Sequence, residues 1–168
     1  MTRRLVLVAL AAAACAAPAA ANGTHAGSDP LNVPEVALYD QPALEEVMFA
    51  DLNAERARHG LHALVLDREL SAIAREYARE MLRDRFIGHV SPHGSTLAGR
   101  LRQAGYSFRY AAENLAYSTG DENEAFAHLV ASPGHHANML NPRFTKAGVG
   151  GVAASVYSTM FVQEFAGD

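Results

Sequence analysis

The run Ala147-Gly148-Val149-Gly150-Gly151-Val152-Ala153-Ala154-Ser155, followed at once by Val156-Tyr157-Ser158-Thr159-Met160-Phe161-Val162-Gln163-Glu164-Phe165, decides the fold. Its first half is rich in glycine and valine and its second in β-branched and aromatic residues, so the halves read as two strands of one hairpin. Gly148 to Ala153 also fits the G-x-G-x-x-A pattern of dinucleotide sites, but more strand follows where that motif needs a helix. The glycines are better explained by close backbone packing.

Upstream of Lys146 the texture is helical. Leu44, Val47, Met48 and Leu52 recur at helical spacing, and Gly60 closes the run. Asp67 is placed to cap a second helix carrying Leu70, Ile73, Ala74, Tyr77, Ala78, Met81 and Leu82 on one stripe. Arg83 and Arg85 suit the negative end of its dipole. A third helix is expected from Ser95 to Gly105. A fourth opens at Asp121-Glu122-Asn123-Glu124, carries Phe126, Leu129 and Val130, and ends at Ser132-Pro133-Gly134. Leu115 to Ser118 offers a further strand. Helices first and strands last predict an α+β fold, an antiparallel sheet with helices packed on it.

The ends and the composition narrow the function. The chain has 168 residues, 49% apolar and 19% charged, with a formal net charge of −4. That is one domain with a real core. Lys146 is the only lysine, and two of the fourteen basic residues, Arg3 and Arg4, belong to a leader. An acidic remainder without a basic run argues against nucleic acid as a partner. Residues 1–21 combine Arg3-Arg4, an apolar stretch from Leu5 to Leu10 and an alanine tract, the pattern of a secretory signal. Pro18 and the short length argue against a membrane span. Cys15, the only cysteine, lies in this leader. Cleavage after Ala19-Ala20-Ala21 discards it, whereas Ala12-Ala13-Ala14-Cys15, read as a degenerate lipobox, makes it a lipid anchor and the one route to a membrane. Either way an extracytoplasmic domain is expected, secreted or periplasmic, without a disulfide, cysteine catalysis or thiolate ligands. Residues 22–41 read as a flexible spacer with Gly23, Gly27, Pro30 and Pro34, and residues 42–168 as the domain.

Candidate chemistry gathers in the histidines. Five of the eight, His89, His93, His128, His135 and His136, fall between positions 89 and 136. His89 lies in Gly88-His89-Val90-Ser91-Pro92-His93-Gly94 and His135 in Ser132-Pro133-Gly134-His135-His136, both read as loops. Converging imidazoles suit a zinc-type cation or acid/base work near neutral pH. Glu113 is the acidic residue of an otherwise uncharged run from Tyr110 to Gly120, so it is either buried and paired or turned toward a cleft. His93 and His136 read as solvated, and His128 as a surface partner of Glu124. No H-E-x-x-H, G-x-S-x-G or Walker A pattern is present.

Six stretches resemble, in order, the CAP superfamily of cysteine-rich secretory proteins, antigen 5 and pathogenesis-related 1 proteins, in its bacterial SCP-like extracellular branch. They are Asp51-Leu52-Asn53-Ala54-Glu55-Arg56, the Gly88–Gly94 segment, Ala104-Gly105-Tyr106 leading to Ala112-Glu113-Asn114-Leu115-Ala116, the segment Ser132 to Thr145, Gly148-Val149-Gly150, and Val162-Gln163-Glu164-Phe165. The likeness runs from about Ala43 to Phe165. It implies an α-β-α sandwich with a small, mainly antiparallel central sheet and a cleft whose tetrad is two histidines and two acids. His89, Glu113 and His135 match three members; the second acid has no clear counterpart, although Glu124 is near. The sequence departs from the pattern at Ala112, where the family has glycine, at His136, where it has arginine, and at Leu129, where it has tryptophan.

The resemblance implies a binding module for a lipid, a cell-wall component or a protein, with a divalent metal such as Zn or Mg held weakly by His89, His135 and Glu113. Two alternatives remain: hydrolysis assisted by that metal with Glu113 as base, and a tetrad that only braces the loops.

Overall fold

The computed structural model describes residues 37–119, 121–155 and 158–168, so the leader, Cys15 and most of the spacer lie outside the described residues. In chain order the elements are β1 (Tyr39–Asp40), α1 (Pro42–Arg58), β2 (Val65–Leu66), α2 (Arg68–Asp84), α3 (Leu97–Gln103), β3 (Tyr110–Ser118), α4 (Glu122–Ala131), α5 (Pro133–Met139), β4 (Lys146–Ser155) and β5 (Ser158–Gly167).

The expected hairpin is the centre of the sheet. β4 and β5 pair antiparallel from Lys146↔Ala166 to Ser155↔Ser158. β3 pairs antiparallel with β5 along its whole length, and the strand order is β1-β4-β5-β3. Short β2 pairs parallel with the start of β4, so the sheet is mainly antiparallel. Tyr39 and Asp40, which the sequence placed in the spacer, pair with Ala153 and Val152.

α2 is the helix its apolar period predicts. Asp67 caps it, its carboxylate accepting from the amides of Glu69 and Leu70 at 2.9 and 3.1 Å. Leu70, Ala74, Tyr77, Ala78 and Met81 are buried against the sheet. Gly148 and Gly150 make that contact possible. A Cβ at either would sit 2.2 Å from an α2 backbone nitrogen, so any side chain would push the helix off the strand. This is the close approach expected of the glycines.

The opposite face of the sheet carries bulk. Val149, Phe161 and Phe165 pack with Met48 and Leu52 of α1, Phe126 and Leu129 of α4 and Met139 of α5. Helices therefore cover both faces, and the architecture is an α-β-α sandwich. Pro133, read from sequence as a helix breaker, instead starts α5, because proline is pre-organised for the first helical turn. The second histidine thus lies on a helix and not in a loop.

Candidate functional site

β3 forms an edge of the sheet, and its successive side chains point to opposite layers. Glu113 faces the α2–α3 side, directly across from Glu164 on β5. Asn114 faces the α1–α5 side. Two sets of polar groups consequently meet at this edge.

On the first side Glu113 is buried and His89 reaches it from the loop before α3, Nδ1 lying 2.8 Å from Oε1. That loop is fixed locally. The Tyr77 hydroxyl donates to the Gly88 carbonyl, Val90 bridges Thr96, and Ser91 Oγ accepts from the amides of His93 and Ser95. The His89 side chain stays 57% exposed over a carboxylate that is 2% exposed. With a hydrogen on Nδ1 donated to Glu113, Nε2 keeps a lone pair for a ligand or a proton.

Glu113 has a second partner that sequence reasoning missed. Arg100 of α3 is buried, stacks over the Tyr77 ring with its guanidinium carbon 3.3 Å from the centroid, and donates to Glu113 Oε2. The available signal was its place beside Leu101 on the inward face of α3. Glu164 lies in the same pocket of charge, fully buried, its carboxyl without a hydrogen-bond partner among the described residues. Burial and the neighbouring Glu113 push Glu164 up to about 8, so it carries a proton at neutral pH. Burial also pushes Glu113 upward, against the pull of Arg100 and His89. One guanidinium thus serves two buried carboxyls.

His135 comes to the same edge from the other layer. Asn114 Nδ2 donates to its carbonyl at 3.0 Å and to Gln163 Oε1 at 3.1 Å, while Asn138 Nδ2 donates to Asn114 Oδ1 at 2.9 Å. Burial lowers the His135 imidazole from its ordinary value, and nearby His89 lowers it further. A pocket of about 210 Å³ lined by Leu115, Tyr117, His128, Ser132 and His135 opens beside the second histidine.

A second pocket, of about 290 Å³, lies on the α2 side of the edge strand, lined by Met81, Leu82, Phe86, Ile87, Tyr117 and Met160 with Arg85 among them. Tyr117 borders both pockets. Ile87, Val90 and Tyr117 are 63%, 56% and 42% exposed, large apolar side chains open to solvent.

The other histidines divide. His93 is exposed and lies 3.4 Å from Asp84. Glu124 accepts from Ser118 Oγ at 2.7 Å, a bond that takes the place of the expected pair with His128. His136 is not a solvated loop residue: its Nε2 lies 2.8 Å from Glu55 Oε1. Glu55, His59 and His136 bring one ligand atom each within 4.8 Å of one another. Among the described residues these are the three histidine and carboxylate ligand atoms that gather this closely, whereas the sequence had favoured His89, Glu113 and His135.

The α-β-α sandwich, with His89 bonded to a buried Glu113 on its edge strand, defines a recognisable class of domain. The sequence model of the Cysteine-rich secretory protein family matches residues 49–165, and the chain belongs to that family, within the CAP superfamily. Among curated proteins it is similar to the uncharacterized protein YkwD of Bacillus subtilis, 33% identical over 121 residues that are 71% of this chain and 47% of that protein. The chain thus spans about half the length of that relative. An extracellular Bacillus anthracis protein containing an SCP domain superposes with a TM-score of 0.70 at 30% identity, covering 76% of this chain and 41% of that one. An outer surface protein of Borrelia burgdorferi shares the fold, with a TM-score of 0.72 at 24% identity over 78% of this chain and 97% of its own.

Proposed function

We propose that this is an exported CAP domain that binds an anionic amphiphile of the lipid class at the β3 edge. Of the ligands the resemblance implies, a lipid accounts best for the apolar pocket between α2 and β3, lined by Ile87 two residues before His89, which is the observation that carries the reading. A hydrocarbon chain fits among Met81, Phe86, Ile87 and Met160. Arg85 and the exposed imidazole of His89 then meet the headgroup. Export is supported by the leader in residues 1–21 and by the extracellular relative. Among the described residues no helix is long and apolar enough to cross a membrane, and anchoring through Cys15 stays a proposal.

Arg100 weighs against a divalent metal at Glu113 and so against the hydrolase alternative. The carboxylate already pairs with a buried guanidinium, and a metal ion beside it would meet repulsion at low dielectric. The asparagine network favours bracing for the backbone of His135, but it leaves the exposed His89 without a task.

Titration of the full chain with a fluorescent fatty acid tests the reading. Binding should weaken at least tenfold in Ile87→Asp and several-fold in Arg85→Glu, with native secondary structure retained. Equal affinity in wild type and both variants would contradict the site, and a cell-wall fragment competing where lipid does not would replace the ligand class.

A further inference from the structure

The geometry points to a second site, distinct from the cleft: a divalent-cation site of the zinc type formed by Glu55, His59 and His136, clipping the end of α1 to α5. Glu55 and His59 are one helical turn apart at the C-terminal end of α1, where the helix dipole favours a cation. His136 comes from α5, 81 residues away in sequence, and the two ring centroids are 5.4 Å apart. Both Nε2 atoms converge on the same carboxylate oxygen, Oε1, at 3.1 Å from His59 and 2.8 Å from His136.

Those separations are close to what a cation requires. Ligands at 2.0–2.1 Å around a tetrahedral zinc lie about 3.3 Å from one another, so the two nitrogen–oxygen separations need open by only a few tenths of an ångström. The donor set is two imidazoles and one carboxylate, the borderline chemistry that zinc prefers over magnesium or calcium. The surroundings admit an ion. Glu55 is held rigid, its side chain 7% exposed, while the His59 and His136 side chains are 46% and 26% exposed. Arg58 donates to the other oxygen, Oε2, but its side chain is 62% exposed and free to swing into water as charge arrives. Arg56 leaves the carboxylate to its neighbours, since its guanidinium bonds the carbonyls of His62, Met139 and Asn141.

Three protein ligands leave a fourth position for water, so the affinity expected is below that of a closed structural zinc site. Because the ligands join two elements that pack on the same face of the sheet, bound metal should also stiffen the domain.

Calorimetric titration of the full chain with zinc chloride tests the site, with the thermal midpoint followed in parallel. One zinc per chain is expected, with a higher midpoint. His59→Ala and His136→Ala should each lose at least about tenfold in affinity and lose the thermal gain. His59 is exposed at the helix end, so its variant keeps the test interpretable if His136→Ala fails to fold. Cobalt in place of zinc should give the visible absorption of a four-coordinate centre in wild type and not in His59→Ala. Uptake that both variants leave unchanged, or no uptake at millimolar zinc, would overturn the proposal.

Discussion

The two layers on either side of the sheet each hold a buried glutamate, a histidine against it and an arginine, yet the settings differ in one respect. On the α2 side Arg100 is buried and has nowhere to go, its side chain 8% exposed between Tyr77 and Glu113. On the α1–α5 side Arg58 is largely in water. The first cluster is therefore balanced by its own cation and can present His89 to a ligand, whereas the second can exchange its cation for another. Residue types alone do not separate these outcomes. The burial of the arginine does.

The largest expected effect follows from removing that balance. Arg100→Ala leaves Glu113 and Glu164 facing each other in the interior without a guanidinium, which should cost about 3–5 kcal/mol in denaturant unfolding. A loss below 1 kcal/mol would mean that the cluster is far better hydrated than its burial indicates.

A smaller effect concerns pH. Glu164 in the native protein keeps its proton to about 8, whereas in the unfolded chain it releases it near ~4.3. Between those values the native state binds more protons, so this contribution to stability is lost as pH rises through 8. Glu122, buried on the other layer and pushed up to about 7, acts with the same sign. Glu164→Gln cannot ionise, and it should gain on wild type as pH rises from 5 to 9, by on the order of a few kcal/mol at the alkaline end. Parallel melting curves of the two proteins across that range would show instead that Arg100 keeps Glu164 ionised despite Glu113.

The smallest effect is expected at the exposed arginine. Arg58→Ala should change stability by about 0–1 kcal/mol, the ordinary range for a solvated ion pair. A loss comparable to that of Arg100→Ala would erase the distinction between the two layers.

Much of this arrangement was legible in the sequence. The α2 stripe and the β4–β5 hairpin announce themselves through apolar period, and the glycines of β4 were correctly read as contact points. His89 and Glu113 were singled out and do meet. Other features had no local signal. α1 buries Glu45, Glu55 and Arg56 alongside its apolar residues, so part of its buried face is built of hydrogen-bonded charges that apolar patterning cannot register. Glu164 reads as a polar residue beside Gln163 in a largely apolar strand, and only the register places it against Glu113. Pro133 hid α5, and with it the turn of His136 toward Glu55, because a proline that ends one helix also begins the next. Arg100 was hidden for a related reason: spacing brings histidines near an acid, but it says nothing of the arginine already paired with Glu113.

Histidine-resolved NMR of the full chain during a zinc titration tests the difference between the layers most directly. The imidazole signals of His59 and His136 should shift together and saturate first, while those of His89 and His135 stay in place. Signals of His89 and His135 that move at the lowest zinc, ahead of the other pair, would put the cation in the cleft and contradict the account.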